Sequence, residues 1–224
     1  MGAGSILRYI VAITCHLWQT TAMKFTSLVA AVADEPVFTT GWLLVGDVDP
    51  DDVRRQISRW VAAGRVVQLR RGLYALAPPY AKVSPHPFVL ANRLVPGSYV
   101  SLHSALAHHG EIPEYVARTT SVTPGRPEQR ETPYGLFEYR HLDARDAGGY
   151  RRERLPGGQE AFVAGAGKAL ADLVYLERGA DSLAYLRELR LAEPAALRLE
   201  DAGALGARPK VRRAFARLAR LEAE

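Results

Sequence analysis

The chain of 224 residues is long enough for one large domain or two small ones. Its composition, 48% apolar and 24% charged residues, is ordinary for a folded protein and excludes the disordered and fibrous classes. The single cysteine, Cys15, excludes a disulfide framework and a cysteine-rich zinc site, and it favours a reducing, intracellular location.

The positive charge is concentrated in two short segments. The formal net charge is +5, from 29 basic and 24 acidic residues. Residues 54–71 contain six arginines and no acid, and residues 208–220 contain six basic residues and no acid. The rest of the chain carries 17 basic and 24 acidic residues, a net charge of −7. Such a distribution is typical of proteins that bind nucleic acid.

Residues 1–22 precede the first clear pattern. The apolar stretch from Ile6 to Trp18 is interrupted by polar residues and is too short to span a bilayer. It also lacks the basic start and the cleavage site of a signal peptide. Because a patterned helix begins directly after Met23, we expect residues 1–22 to be an upstream start-codon artefact or a loosely attached extension. No other segment predicts a membrane span, so we expect a cytoplasmic protein that does not contact membranes.

Residues 23–80 show the order of elements that is typical of a winged helix-turn-helix domain. Apolar residues at helical spacing predict a first helix over 25–32, and Thr39-Thr40 is the predicted N-cap of a short second helix that ends at Gly46. Asp49-Pro50 begins a third helix, which ends at Gly64. The turn Arg70-Arg71-Gly72 then joins two short apolar strands, 66–69 and 73–76, as a β-hairpin.

Residues 81–224 predict a second domain of α+β class. Helices are predicted at 88–94, 101–109, 168–178 and 182–189 and after Pro209, and strands at 119–123 and 136–141. Two stretches rich in glycine, proline and polar residues, 124–135 and 148–158, are predicted to be loops. The chain as a whole is therefore expected to be α+β, with helices dominating the C-terminal half of the second domain.

The third helix has an apolar face and a basic face. The residues predicted to be buried on the apolar face are Val53, Ile57, Trp60 and Val61. Those on the opposite face are Arg55, Ser58, Arg59 and Ala62, with Arg54 at the flank. Arginine side chains on an exposed helix face can bind guanine edges or phosphates, and Arg70 and Arg71 at the hairpin tip can reach phosphates or the minor groove. We interpret this unit as DNA-binding; the alternative is a solvated basic helix in a protein-interaction domain.

The C-terminal helix carries the second basic segment. Its apolar stripe consists of Val211, Phe215, Leu218 and Leu221. The basic residues around the stripe that could contact a partner are Lys210, Arg212, Arg213 and Arg217. Two interpretations stay open: a second contact to nucleic acid or to another negatively charged partner, and a docked terminal helix whose solvent side is basic.

The patterns that could indicate catalysis are all incomplete. Gly165-Ala166-Gly167-Lys168 lacks the upstream glycine and the Ser/Thr of a phosphate-binding loop. His103, His108 and His109, with Glu111 nearby, do not have the spacing of metal ligands on adjacent helical turns, so structural or solvent-facing roles are expected. Neither Ser101 nor Ser104 lies in a nucleophile elbow. We therefore predict no catalytic residue, no metal and no cofactor, and a protein that is not an enzyme.

Three stretches of the sequence, at residues 68–76, 97–114 and 167–175, together resemble AbiEi-type antitoxins, which are transcriptional regulators of bacterial phage-defence operons. Residues 68–76, QLRRGLYAL, resemble the wing of that family. Residues 97–114, GSYVSLHSALAHHGEIPE, resemble its signature helix, and the strand 120–123 follows it. Residues 167–175, GKALADLVY, are similar to the family's PEKALLDLLY helix, with Ala166-Gly167 in place of Pro-Glu. The resemblance extends over residues 24–220 and covers mostly fold-determining positions.

This resemblance implies an N-terminal winged helix-turn-helix that binds inverted repeats in the double-stranded DNA upstream of its own operon and represses it. It also implies a C-terminal AbiEi-like antitoxin domain that counteracts a nucleotidyltransferase-type toxin encoded just downstream, often without a stable complex. The residues that it implies for DNA reading are Thr40, Arg54, Arg55, Ser58 and Arg59, with Arg70 and Arg71 in the wing. It assigns no antitoxic residue in the second domain.

Two other functions stay open on the sequence. The first is a stand-alone winged-helix regulator whose second domain senses a small ligand or mediates dimerisation. The second is an antitoxin whose basic C-terminal helix binds the toxin directly, with DNA binding secondary.

Overall fold

The computed structural model describes residues 23–44, 48–113 and 116–221, and the chain divides into two compact units, Met1–His86 and Pro87–Glu224. The expectations for residues 1–22 and for a helix end at Gly46 lie outside the described residues. The predicted α+β class is confirmed. The division lies between His86 and Pro87, whereas the first domain was expected to end at residue 80. Among the described residues, no helix combines the length and the apolar content that crossing a membrane requires.

The described residues of the first unit form two α-helices, a 3-10 turn and a small sheet. In chain order these are α1 (Phe25–Val32), β1 (Phe38–Thr39), the 3-10 turn Thr40–Leu43, α2 (Pro50–Ala62), β2 (Val66–Arg70) and β3 (Leu73–Leu76). The three strands form an antiparallel sheet in the order β1-β3-β2. The predicted first and third helices and the hairpin are found, the predicted second helix is a 3-10 turn in its described part, and β1 was not predicted. Thr39 holds the cap position of the 3-10 turn with an extended backbone but makes no side-chain cap hydrogen bond.

The described residues of the first unit include an apolar core cluster to which each of these elements contributes. Its members include Leu28 from α1, Phe38 from β1, and Ile57 and Trp60 from α2, all less than a tenth exposed. The predicted apolar face of α2 is therefore buried, except that Val61 at its flank is only partly buried. Burying this face against α1 and the sheet supplies most of the stability of so small a unit.

The second unit is built on a six-stranded mixed sheet. Its elements are α3 (Pro87–Leu94), β4 (Tyr99–Val100), α4 (Leu102–His108), β5 (Arg118–Thr123), β6 (Glu128–Thr132), β7 (Gly135–His141), β8 (Tyr150–Arg154), β9 (Glu160–Ala164), α5 (Ala166–Leu176), α6 (Leu183–Glu188) and α7 (Pro209–Leu221), with 3-10 turns at Pro156–Gly158, Pro194–Ala196 and Leu199–Ala207. The strand order is β6-β7-β5-β4-β9-β8, with parallel pairing of β4 with β9 and of β5 with β7. Helix α3 packs against β4 and β9, and α4 packs against β5 and α5.

Two predicted loops are strands, and these predictions are wrong. Residues 128–132 form β6 and residues 150–154 form β8, the two edges of the sheet. Both strands are polar along most of their length, as befits strands at a solvated edge, so they lack the apolar alternation that marks a strand in sequence. The short strand β4 and the strand β9 were also not predicted.

Helix α5 occupies the centre of the second unit. Every residue from Gly167 to Val174 is buried, because α5 contacts α4, α7 and the 3-10 turn Leu199–Ala207. Gly167 has no room for a side chain: a Cβ placed there would lie 2.5 Å from Cβ of Asp201. The glycine therefore permits close packing of the 3-10 turn on the first turn of α5.

Candidate nucleic-acid interface

The local sequence of α2 determines where the helix begins and ends. Asp49 is the N-cap, and its Oδ1 accepts a hydrogen bond from the backbone N of Asp51 at 2.8 Å, with Pro50 at the first helical position. At the other end, Gly64 has φ +68° and the N–H of Arg65 donates to the Trp60 carbonyl at 2.9 Å, which is a Schellman ending. The chain then enters β2 directly, so the hairpin follows the helix without a loop.

The face of α2 opposite the core is exposed and basic. Arg54, Arg55, Ser58 and Arg59 are all exposed, whereas Val53 is 1% exposed. The predicted phase of the helix is therefore confirmed. Four side chains able to donate hydrogen bonds lie on one accessible helical surface, and three of them are guanidinium groups, the groups best suited to phosphates and guanine edges.

Two of these arginines are paired within the helix. Arg54 Nη1 lies 2.6 Å from Oδ1 of Asp51, and Arg55 donates to Asp52. The hydrogen bond with Asp52 and the charge of that carboxylate raise the pKa of Arg55. Both pairs are more than half exposed, so each contributes little stability and can be exchanged for a phosphate.

Arg59 differs from the other two arginines of this face. Within the part of the chain that the structure describes, it forms no ion pair or hydrogen bond through its side chain. It lies in the last turn of α2, away from the acidic first turn. Arg59 is therefore the arginine of this surface that is available to a ligand without releasing a partner.

The hairpin tip presents the remaining predicted residues. The register between β2 and β3 shifts between Gln68 and Arg70, and Gly72 has φ +80°, a left-handed conformation that glycine adopts without strain. Arg71 is exposed at this turn, and Arg70 is half-buried with its Nη1 3.4 Å from the carbonyl of Arg71. At this turn the side chain of Arg71 is therefore accessible to a ligand, whereas that of Arg70 is partly covered by the hairpin.

Thr40 lies beside that turn. Its backbone N donates to the carbonyl of Gly72 at 3.3 Å, because β1 pairs with β3 immediately before the 3-10 turn. The structure therefore brings together Thr40 and the hairpin tip, which are 32 positions apart in the printed numbering.

Trp42 was missed by sequence reasoning. It was interpreted only as an apolar member of a short helix, but its side chain is 44% exposed in the 3-10 turn that begins at Thr40. An exposed indole can donate its N–H to a phosphate and pack its ring on a sugar. The sequence holds no signal for this exposure, because a 3-10 turn of four residues is too short to show an amphipathic pattern.

The Lys210 side chain of α7 binds acceptors inside the second unit. Its Nζ donates to the carbonyl of Glu177 at 2.5 Å and lies 3.4 Å from the carbonyl of Tyr175. These carbonyls are at the C-terminal end of α5, where a cation is stabilising. Lys210 therefore binds groups within the second unit, whereas a contact to a partner was one of the two roles left open for it.

Two further basic residues of α7 bind one aspartate. Arg213 Nη2 lies 3.2 Å from Oδ2 of Asp181, and Arg217 donates to the backbone carbonyl of Asp181. Arg212 is exposed, and no ion pair joins it to the described residues. Of the four residues considered for a second basic contact, three therefore have partners within the second unit, as the interpretation of α7 as a docked terminal helix implies.

A buried polar network occupies the centre of the second unit. Lys168 Nζ lies 2.5 Å from Oδ1 of Asp172 and donates to the carbonyl of Asp146 at 2.9 Å. Oδ2 of Asp172 accepts from Ser101 at 2.7 Å and from the Tyr99 hydroxyl at 3.1 Å. Burial raises the pKa of Asp172, and the ammonium of Lys168 opposes that rise. Burial and the negative charge of Asp172 raise the pKa of Tyr99. The side chains of Lys168 and Asp172 are at most 1% exposed.

This network assigns structural roles to two of the incomplete catalytic patterns. Lys168 points into the interior, so it cannot reach a phosphate held by the preceding glycines. Ser101 is fully buried and donates to a carboxylate, and the Ser104 Oγ donates to the carbonyl of Arg118 at 3.2 Å. These hydroxyls satisfy buried acceptors.

A cavity of about 410 Å³ lies between α4, β5 and β7 of the second unit. Its lining includes two arginines and two glutamates that are paired with each other: Arg118 with Glu138 at 3.0 Å, and Arg140 with Glu177 at 2.9 Å. His103 also faces this cavity. The charges on its wall therefore cancel.

His108 and His109 lie apart from His103 and close to Glu153 of β8. Among the described residues, these two histidines and Glu153 form a group that could hold a metal ion, because one ligand atom from each lies within 4.8 Å of the others. Partial burial raises the pKa of Glu153, but hydrogen bonds from His108 and Arg151 outweigh it and lower the pKa below its ordinary value. Sequence reasoning missed Glu153, because no local pattern joins residues 45 positions apart.

Comparison with known proteins supports the fold. No protein-family model matches the chain, and no curated protein matches it significantly. The crystal structure of the RV2827C protein from Mycobacterium tuberculosis is similar, with a TM-score of 0.51 and 21% sequence identity, over 88% of this chain and 80% of that one. This likeness supports the α+β architecture over most of the chain.

Proposed function

We propose that this chain is a DNA-binding transcriptional autorepressor and antitoxin. In this proposal the first unit is a winged helix-turn-helix, with α2 as its recognition helix and the β2–β3 hairpin as its wing. The second unit is an AbiEi-like domain that counteracts a nucleotidyltransferase-type toxin. The observation that carries the DNA-binding half is the exposed basic face of α2, opposite a buried apolar face.

DNA binding through this surface follows from the chemistry of its side chains. With α2 in the major groove, Arg59 can bind guanine O6 and N7 through its guanidinium fork, and Ser58 permits close approach. Arg54 and Arg55 can exchange their aspartate partners for phosphates. Because the aspartates of the first turn repel phosphates, we expect Arg59 to contribute more than Arg54 does. Arg71 at the wing tip would contact the DNA backbone.

The antitoxin half is supported by the resemblance of residues 97–114 and 167–175 to the AbiEi family. Ser101, Lys168 and Asp172 lie in these two stretches and form the buried network. The resemblance in the second unit therefore concerns residues that hold the fold together. Because these residues are buried, a surface that contacts the toxin would consist of other residues of the second unit.

The DNA-binding half is tested by replacing Arg59. Arg59→Ala is expected to lose about 1–3 kcal/mol of specific binding to the inverted repeat upstream of the gene, measured by fluorescence anisotropy. Arg145→Ala is a matched control, because Arg145 is an arginine of the second unit whose side chain is 75% exposed. Equal affinity of the Arg59 and Arg145 variants would refute the proposed recognition face.

The antitoxin half is tested by co-expressing the full chain with the nucleotidyltransferase encoded beside it, each from an independent promoter. We expect growth to be rescued by the parent chain and by an Arg59→Ala/Arg71→Ala variant, since neither residue lies in the second unit. Absence of rescue by the parent chain would contradict the antitoxin proposal and leave DNA binding as a separate result.

A second candidate function is a transcriptional regulator that senses a small ligand. The cavity beside His103 favours this alternative, because it is large enough for a small molecule and is lined by apolar side chains together with charged ones. A regulator of this kind would bind its operator in the anisotropy assay and give no rescue in the co-expression assay. The two assays together therefore separate the two functions.

A further inference from the structure

Two histidines and a glutamate converge where α4 ends against the edge of the six-stranded sheet. His108 is the last residue of α4, His109 is its C-cap, and Glu153 lies on the edge strand β8. One ring nitrogen from each histidine and one carboxylate oxygen all lie within 4.8 Å of one another, and His108 Nε2 is 2.9 Å from Oε2 of Glu153. Nitrogen and oxygen ligands this close need only small side-chain movements to bind one metal ion at about 2.0–2.2 Å.

The hydrogen bond of His109 leaves one of its ring nitrogens ready for a metal. Its Nε2 lies 2.8 Å from the carbonyl oxygen of Ala164, the last residue of β9. A carbonyl only accepts hydrogen bonds, so Nε2 carries a proton, and in the neutral ring the lone pair is then on Nδ1. Histidines that bind metals are typically oriented in this way, by donating their other N–H to a backbone carbonyl.

Glu153 is oriented by a second partner. Arg151 Nε donates to Oε1 of Glu153 at 2.9 Å, which leaves Oε2 facing His108. The side chain of Glu153 is 13% exposed and that of His108 is 28% exposed, so the site is partly sheltered yet reached by water. Water can therefore complete the coordination of an ion held by three protein ligands.

We propose that His108, His109 and Glu153 bind a transition-metal dication, with Zn²⁺ as the ion that this ligand set favours. Two imidazoles and one carboxylate suit Zn²⁺, whereas Mg²⁺ and Ca²⁺ require oxygen ligands. The bound ion joins the C-terminal end of α4 to the edge strand β8, two elements that are distant in sequence. This site is independent of the proposed DNA-binding and antitoxin functions.

The test is a Zn²⁺ titration of the full chain after treatment with a chelator and desalting. A competing chromophoric chelator reports affinity and stoichiometry, and thermal unfolding with and without Zn²⁺ reports stabilisation. We expect one Zn²⁺ per chain and a higher melting temperature in its presence. His108→Ala and Glu153→Gln are each expected to lower the affinity at least about tenfold and to abolish the Zn²⁺-dependent rise in melting temperature.

Two control variants test the location of the site. His141→Ala removes a half-exposed histidine of β7, and Cys15→Ser removes the single thiol of the chain. Neither change is expected to alter the affinity for Zn²⁺. Glu153→Gln preserves the size of the side chain, and its melting temperature without metal shows whether the variant is folded.

Three outcomes would overturn the proposal. One is the absence of Zn²⁺-dependent stabilisation in the parent chain. Another is unchanged affinity in a folded Glu153→Gln variant. The third is an equal loss of affinity in His141→Ala or Cys15→Ser, which would place the ion elsewhere.

Discussion

Replacing Lys168 by methionine tests how much the second unit depends on its buried ion pair. The change keeps an unbranched side chain that is one heavy atom shorter and removes the ammonium, which binds Asp172 at 2.5 Å and the Asp146 carbonyl at 2.9 Å. Asp172 then keeps two donors, Ser101 and Tyr99, on Oδ2 alone. Removing one partner of a buried pair typically costs about 3–5 kcal/mol. Because two hydroxyl donors remain, we expect Lys168→Met to lower the free energy of unfolding by about 3 kcal/mol.

Replacing the other partner of the ion pair should lower the free energy of unfolding by more. Asp172→Asn leaves the ammonium of Lys168 buried with one carbonyl and one amide oxygen, so we expect about 5 kcal/mol. The double variant Lys168→Met/Asp172→Asn contains no buried charge, and the asparagine oxygen can still accept from Ser101. It should therefore be more stable than the sum of the single changes predicts, by about 2–3 kcal/mol.

The assay is chemical unfolding followed by far-UV circular dichroism. Lys82→Met is a matched control, because Lys82 pairs with Asp34 at 3.1 Å while both side chains are more than 60% exposed. That control is expected to change stability by less than about 0.5 kcal/mol. A Lys168→Met variant as stable as the Lys82→Met control, or strictly additive single changes, would refute the reasoning.

Three other changes test separate parts of the account. Trp60→Ala should lower the free energy of unfolding by about 3–5 kcal/mol, seen as a lower melting temperature; an unchanged melting temperature would contradict its place in the core. Arg71→Ala should weaken binding to all DNA sequences and reduce the slope of log affinity against log salt by about one, and a sequence-specific loss with an unchanged slope would contradict a phosphate contact. Gly167→Ala should cost about 1–3 kcal/mol by calorimetry, because its Cβ would meet Asp201, and a neutral result would show that the 3-10 turn yields easily.

The first unit could be predicted from the sequence because its signals are local. Asp49-Pro50 and Gly64 mark the ends of α2, and the spacing of Val53, Ile57 and Trp60 indicates which face is buried. Each signal is contained in a few neighbouring residues of the sequence, so it can be recognised without knowledge of the tertiary structure. The same local signals placed Arg59 on the exposed face.

The edges of the sheet and the pairings of charged residues could not be predicted in this way. β6 and β8 are polar strands, and they are strands because β7 and β9 offer them backbone hydrogen bonds. For Arg213 the sequence left a partner contact and a solvated helix face both open, and the residue binds Asp181, 32 positions away. Glu153 likewise joins His108 only through the fold. Such contacts depend on tertiary structure, for which a single sequence carries no local pattern.

The central claim, that the first unit reads DNA through α2, is tested most directly by anisotropy of the full chain on the DNA upstream of its own gene. A scrambled duplex of equal length, measured across the same salt series, provides the reference. We predict a preference of at least about 100-fold for the upstream site, with affinity falling linearly in log salt. Equal and weak binding to both duplexes would contradict the claim and reduce the basic face of α2 to a charged, solvated surface.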